Sequence, residues 1–320
     1  MVWLSGQVDY SLAEEVLQQV GALRLSDTSV WRRAKRWGER IKALEAVRIA
    51  GAMGMPRQDE VVRGESKTAQ RMGVAMDGMM VNVREEGWKE LKVGCVFELE
   101  VERGGQEKAE PQVERVRSTQ NSYTALLGGP EPFGQALWAE ASRRQLPRAV
   151  DSIVLGDGAP WIWKLAMEHF PYSRQAVDWY HAQEHLYHVA HLTFGEGTAA
   201  AIRWAKGMET PLYQGQVWQL TGAIKGLAKQ HPELAQELQR EAEYFAHNKR
   251  RMQYMELRED GFPIGSGMVE SGCKQFRARF NGPGMRWSRA GLERLSPVRA
   301  AILSKRFHEV WTTAYNSPPN

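Results

Sequence analysis

Five short apolar runs constrain this chain more than any other feature, because three come in succession and two alternate with helix-like segments. Lys92 to Val101 sets Val93, Cys95, Phe97, Leu99 and Val101 against Lys92, Gly94, Val96, Glu98 and Glu100, the alternation of a half-buried strand. Before it, Arg71 to Arg84 holds two apolar runs broken by Asp77-Gly78, which predicts a hairpin. The three runs together predict a meander. A polar stretch from Gly104 to Glu114 reads as a loop, and Ser122 to Gln145 carries a helical pattern. A fourth run, Ser152 to Gly158, ends in Asp157-Gly158 ahead of the helix-like Trp161 to Phe170. A fifth, Gln175 to Trp179, leads into a histidine-bearing helix over His181 to Leu192.

Three strands followed by alternating helices and strands predict an α/β fold, a mixed sheet flanked by helices in the order of a ribonuclease H-like fold. Residues 66–192 would form its first part. Residues 193–262 read as helices with no strand signal, which predicts an all-helical insertion before a last segment, 263–320, that returns to the sheet. Residues 1–65 read as a separate helical region and linker. There Leu12, Val16 and Val20 recur at helical spacing, Gly21 supplies a bend, and Ser26 or Asp27 can cap a second helix carrying Arg32, Arg33, Lys35, Arg36 and Arg40. This is helix-turn-helix grammar, and such a basic helix can meet phosphates or base edges in a major groove. An ordinary helical hairpin with a solvated basic face carries the same residues. Gly51 to Arg57 and the charged residues to Lys67 read as the linker.

With 320 residues, 42% of them hydrophobic, the chain can bury a sizeable core, and its formal charge of +4 suits a polyanionic partner without requiring one. Cys95 and Cys273 are its only cysteines, which excludes a disulfide framework and a four-cysteine zinc site. No apolar run approaches the roughly 18 residues of a membrane span, and no signal pattern opens the chain. A soluble protein of the reducing cytoplasm, without membrane association, is expected.

Asp77 and Asp157 each end an apolar run and precede a glycine, so both carboxylates can leave the same edge of a sheet. Strand-end Asp-Gly is also a common turn signal. Glu270 lies in Gly265-Ser266-Gly267-Met268-Val269-Glu270-Ser271-Gly272-Cys273-Lys274. Gly265 and Gly267 permit positive φ, Ser266 can cap, and the run to Phe280 is helix-compatible. Glu270 then sits in a first helical turn, a place where the helix dipole alone also favours an acid. Three acids at one sheet edge repel one another unless a divalent cation offsets them, and hard oxygen ligands suit Mg²⁺ or Mn²⁺ better than zinc. Two such ions about 4 Å apart can activate an attacking oxygen at phosphorus and stabilise the leaving one.

The segments VAMDGMMVNVREEGWKELKVGCVFE, VLGDGAPWIW, FPYSRQAVDWYHAQEHL, YFAHNKRRMQY and GFPIGSGMVESGCKQFRARFNGPGMRWS resemble the DDE transposases of bacterial insertion sequences, and within them the Kra-type group. The resemblance covers most of the chain. It implies that Asp77 and Asp157 are the catalytic aspartates and Glu270 the catalytic glutamate, that these three hold the metal ions, and that the helices between them are the insertion of this kind of transposase. It further implies cleavage at transposon ends, strand transfer into target DNA, terminal inverted repeats and target DNA as partners, and a homo-oligomer. Asp178 and His181 are similar to the Asp/Cys-x-x-His signature of Mutator-like and hAT-like relatives, which makes them accessory candidates. A packed histidine supporting the sheet edge fits the same residues.

Lys274, Arg277, Arg279 and Arg286 open a cationic flank that continues to Arg306 against few acids. Phosphate binding beside three carboxylates needs such an excess. Trp287 in this flank can stack on an unpaired base or fill the core. His181-Ala182-Gln183-Glu184-His185 also fits the H-x-x-E-H pattern of zinc proteases, with no remote third ligand in view. Two other readings remain open: a DNA-binding regulator or decayed transposase that does not cleave, and a metal-dependent DNA nuclease without strand transfer.

Overall fold

The computed structural model describes residues 1–54, 68–102 and 115–317. The predicted loop from Gly104 to Glu114 and the predicted linker beyond Gly54 lie outside the described residues. In chain order the helices and strands are α1 (Val2–Ser5), α2 (Tyr10–Gln19), α3 (Asp27–Met53), β1 (Thr68–Val83), β2 (Gly87–Glu102), β3 (Arg115–Leu127), α4 (Pro130–Arg143), β4 (Ala149–Gly156), α5 (Pro160–His169) and β5 (Arg174–Val177), followed by α6 (Trp179–Phe194). Then come α7 (Ala199–Tyr213), α8 (Val217–Gln230), α9 (Ala235–Asn248), α10 (Tyr254–Glu259), α11 (Gly267–Phe280), α12 (Arg289–Leu303) and α13 (Phe307–Asn316).

The architecture is α/β, a five-stranded mixed sheet in the order β3-β2-β1-β4-β5 with helices on both faces. β1 pairs with β2, and β2 with β3, antiparallel; β1–β4 and β4–β5 are parallel. The two-residue period of the strands divides the core. Ala75, Val93, Cys95, Phe97 and Leu155 pack with Phe276, Phe280, Leu292 and Leu295 of α11 and α12. On the other face Met72, Val74, Met76, Val96 and Val154 pack with Phe133, Leu137, Ile162 and Leu186 of α4, α5 and α6. β2 is therefore buried on both faces and not half-buried as its alternation implies. Even Lys92 is buried, its ammonium paired with Glu90 and 4.8 Å from the centre of the Trp161 ring.

The predicted hairpin at Asp77-Gly78 is absent. β1 runs unbroken through both residues, and the chain turns at Arg84–Glu86, with positive φ at Glu85 (69°) within the turn and at Gly87 (75°) just after it. Gly78 answers a different demand: the Glu90 side chain on β2 occupies the space a Cβ would fill. Asp77 thus stands inside a strand and not at its end. A third strand exists, but it is β3, which takes up the first part of the segment predicted as helix from Ser122. The helix starts only at Pro130, in the first-turn position where a missing N–H is harmless, after Gly128 turns the chain at φ 147°.

The N-terminal helices are packed against the C-terminal ones. Val30, Ala34, Trp37 and Ile41 are the buried stripe of α3, and the Trp37 ring lies 4.6 Å from Trp311 and 5.8 Å from Tyr315 of α13. Lys42 pairs with Glu293 at 2.6 Å and Arg48 with Glu140 at 3.2 Å. α3 is capped by Ser26, as predicted, but continues through Gly51 to Met53. Among the described residues the insertion is all helical. No helix of the described residues is long and apolar enough to cross a membrane.

Candidate active site

Asp77 and Asp157 are brought side by side by a parallel register. Ala75 of β1 pairs with Leu155 of β4, and each aspartate stands two residues further along its strand direction. Backbone amides orient both carboxylates: the Gly78 N–H donates to Asp77 Oδ1 at 2.6 Å and the Ala159 N–H to Asp157 Oδ1 at 2.8 Å. Gly158, at φ 104°, turns the chain from β4 toward α5. Burial holds the Asp77 carboxyl above the ordinary carboxylate range, and the Asp157 charge pushes the same way. The Gly78 amide, the Cys273 thiol and His181 oppose that rise.

The next strand repeats the arrangement. Gly156 pairs with Val177, so Asp178 follows β5 as Asp157 follows β4, and the Asp178 N–H donates to the Gly156 carbonyl at 2.8 Å. The Asp178 side chain is buried and fully engaged. Its Oδ1 accepts the His181 N–H at 2.8 Å, capping α6, and its Oδ2 accepts the N–H of Ser266 at the start of α11. Asp178 therefore joins the first turns of two helices. His181, half-buried beside it, contacts Glu184 through Nδ1 at 3.1 Å.

Glu270 lies in the first turn of α11, as expected, but by a different route. Gly265 and Gly267 do not take positive φ, and the Ser266 hydroxyl does not cap the helix; it donates to Glu270 Oε1 at 3.2 Å. One turn on, the buried Cys273 thiol lies beside the Asp77 carboxylate and opposes the rise of its pKa. Burial raises the thiol pKa and the charges of Asp77 and Glu270 raise it further, while Arg277 acts against them. Cys273 thus brings the Glu270 helix next to Asp77 as a neutral thiol. The helix is seated by the Tyr123 hydroxyl, which donates to the Met268 carbonyl at 3.1 Å, over Gly272.

The helical insertion also reaches the site. Tyr244 of α9 donates its hydroxyl to the Asp157 carbonyl at 2.9 Å and stacks on His185 at 3.7 Å. His185 Nδ1 in turn lies 2.7 Å from Glu241 Oε2. The histidines of the H-x-x-E-H pattern are thereby engaged with two different glutamates, and among the described residues no three His, Cys, Asp or Glu side chains form a ready metal cage. Sequence reasoning missed Cys273, Tyr244 and Glu241. Only Cys273 left a trace, its position three residues after Glu270 on the same helical face.

The candidate DNA contacts divide. Lys274 and Arg277 are exposed, four and seven residues after Glu270, and Arg32, Arg33, Arg36 and Arg286 are exposed as well. Arg279 is a correction: it is 2% exposed, donates through Nε to the Ser5 carbonyl at 2.7 Å, and lies between the Tyr10 and Trp287 rings. Its position on α11 turns it inward beneath Tyr10 and Trp287, away from the exposed Lys274 and Arg277. Much of the later flank is committed to protein partners: Arg289 to Glu86 at 2.5 Å, Arg299 to the Gln275 carbonyl at 3.0 Å and Arg306 to Glu309 at 2.7 Å. Trp287 is buried and donates through Nε1 to the Phe280 carbonyl at 2.8 Å, which makes it a core residue. A cleft of about 600 Å³, lined by Arg117, Tyr180, Arg258 and Gly265 to Met268 apart from Ser266, opens beside the α11 N-terminus.

No protein-family model matches the chain, and no curated protein matches it.

Proposed function

We propose that this chain is a DNA transposase with a ribonuclease H-like catalytic domain, which cuts transposon ends and joins the resulting 3′-hydroxyl to target DNA. The observation that carries the reading is the placement of Asp77 on β1 beside Asp157, which follows the adjacent parallel strand β4, with Cys273 of the Glu270 helix next to Asp77. The sheet order, with three antiparallel strands followed by two parallel ones, supports it. So does the line of exposed cations, Lys274 and Arg277, that continues the Glu270 face of α11.

The acids fit a divalent cation. Asp77 is a half-buried carboxyl whose ionised form is disfavoured by desolvation and by Asp157, an imbalance that a cation offsets. Among the described residues no three His, Cys, Asp or Glu side chains, these three acids included, are gathered into a ready cage, so the reading requires Glu270 to move toward Asp77 and Asp157 when an ion binds. Asp77 and Asp157 would hold the ions, with Glu270 joining from α11 on release of Ser266. Two Mg²⁺ or Mn²⁺ ions would supply activation of the attacking oxygen and charge stabilisation at phosphorus. The chain's own contribution is placement: amides aim the aspartates, Asp178 fixes the helix starts, Tyr244 steadies the Asp157 turn, and Lys274 and Arg277 draw in the phosphate backbone. Exposed Arg32, Arg33 and Arg36 of the helix-turn-helix-like pair α2–α3 would grip the terminal repeats, and a dimer or larger assembly would pair the two ends.

The test is incubation of the protein with DNA carrying the repeats that flank its own coding sequence, with Mg²⁺ or Mn²⁺. End nicks followed by strand-transfer products are expected. Nicks without joining would replace the reading by a nuclease, and metal-independent binding without nicks would replace it by a DNA-binding regulator.

A further inference from the structure

A second cavity, of about 550 Å³, lies at the far end of β1 among Asp9, Tyr10, Trp31, Arg84, Arg279 and Arg286. It is built by the segment after α11 turning back on the strand. Asn281 Nδ2 donates to the Met80 carbonyl at 2.6 Å, the Trp287 N–H to the Asn82 carbonyl at 2.9 Å, and the Arg84 N–H to the Trp287 carbonyl at 2.7 Å. These bonds bring Arg84 and Arg286 to the same opening.

The lining has the chemistry of an anion attached to a flat ring. Arg279 is buried, its guanidinium fixed between the Tyr10 and Trp287 rings, yet its Nη2 has no hydrogen-bond partner. A buried guanidinium nitrogen without an acceptor is costly, and phosphate oxygens complete such a group well. Burial lowers the Arg279 pKa, the direction that an added anion would reverse. Arg84 and Arg286 are exposed and add two cations. Asp9 is the only acid in the lining; its Oδ1 is engaged with the Leu12 N–H at 2.8 Å as the cap of α2. Trp31 is 43% exposed and offers an aromatic face to stack on. The volume lies within the range of small-ligand sites.

We propose that this cavity holds a single unpaired nucleotide of DNA, its phosphate on Arg279, Arg84 and Arg286 and its base against Trp31. The phosphate-and-base chemistry comes from the lining itself; that the nucleotide belongs to DNA rests on the DNA-cutting reading. Arg84 lies seven residues beyond Asp77 in the chain. At roughly 3.3 Å per extended residue the cavity is about 23 Å from the acids. That is the rise of about seven base pairs. The nucleotide held here is therefore remote from the scissile phosphate, and the cavity senses a distortion elsewhere in the bound duplex.

Fluorescence polarisation in EDTA, with a duplex containing a one-nucleotide bulge and its fully paired counterpart, tests this without any requirement for cleavage. The wild type should bind the bulged duplex about tenfold more tightly, and Trp31→Ala should bring the ratio close to one. Arg84→Ala should reduce the ratio and lower the salt slope of bulged-duplex binding by about one. Equal affinity for the two duplexes, or a preference that survives Trp31→Ala, overturns the proposal. So does tight binding of thymidine 5′-monophosphate that depends on Trp31 in a protein with no bulge preference, which would assign the cavity to free nucleotides. Binding of inorganic phosphate alone, unaffected by Trp31→Ala, overturns the base-stacking part. Failure of metal-dependent nicking would sink the transposase reading and leave these binding results to be read by themselves.

Discussion

The hydroxyl of Tyr244, on the helical insertion, donates to the backbone carbonyl of Asp157 at 2.9 Å. The insertion is thereby joined to the turn that aims a proposed catalytic acid. Tyr244→Phe keeps the ring on His185 and removes this bond alone. A loss of about 1 kcal/mol in urea unfolding is expected, with a fall in the cleavage rate at unchanged DNA affinity. A wild-type rate would show that the insertion does not position Asp157.

Gly272 sits where a Cβ would come within 2.5 Å of the Tyr123 ring, so Gly272→Ala must push α11 off the sheet or displace the ring. Destabilisation of about 1–3 kcal/mol is expected, together with loss of cleavage, because Glu270 rides on that helix. Gly222, on α8, has nothing within 4 Å of the corresponding position, and Gly222→Ala should stabilise the protein by about 0.5–1 kcal/mol. The two denaturation midpoints should move in opposite directions.

Asp77 should make stability depend on pH. Its folded pKa is raised, so between the unfolded value, about 3.9, and the raised value the folded state binds more protons, and stability falls as pH rises through that window. Asp77→Asn should therefore melt higher than the wild type at neutral pH, and the difference should vanish below about pH 3.9. Mg²⁺ should raise the wild-type melting temperature and leave the variant's unchanged. A variant less stable than wild type at neutral pH in EDTA would contradict the burial argument.

How far these features could be read beforehand follows from where each physical cause lies. Strands β2, β4 and β5, the helical stretch over 193–262 and the first-turn place of Glu270 were legible because period and punctuation are local. The supposed hairpin at Asp77-Gly78 failed because the glycine serves Glu90 on the neighbouring strand, a contact with no local signature. β3 was part-read as helix because Ser122, Tyr123 and Thr124 are all buried and so show no alternation. Arg279 resembled its exposed neighbours Lys274 and Arg277 in type, and only the packing of α1 over α11, with Ser5 as acceptor, separates it from them. Tyr244 comes from the insertion, far from Asp157 in sequence, so its bond to that turn could not be foreseen.

Asp178 and His181 should separate cleanly. Asp178→Asn retains only one acceptor oxygen for two backbone N–H groups and removes a helix cap, which should cost about 1–3 kcal/mol by urea unfolding. The half-buried His181→Ala should change stability by less than about 0.5 kcal/mol, while moving the acidic limb of the cleavage–pH profile upward, since His181 helps to hold the Asp77 pKa down. Equal loss of stability in both variants would place His181 in the scaffold.

The most direct measurement compares Mn²⁺-dependent end cleavage by the wild type, Asp77→Asn, Asp157→Asn and Glu270→Gln on the same repeat-bearing DNA, with affinity for that DNA read alongside. Each substitution is expected to slow cleavage by about a hundredfold or more with DNA affinity retained. Wild-type cleavage by any one of the three would contradict a shared metal site at Asp77, Asp157 and Glu270.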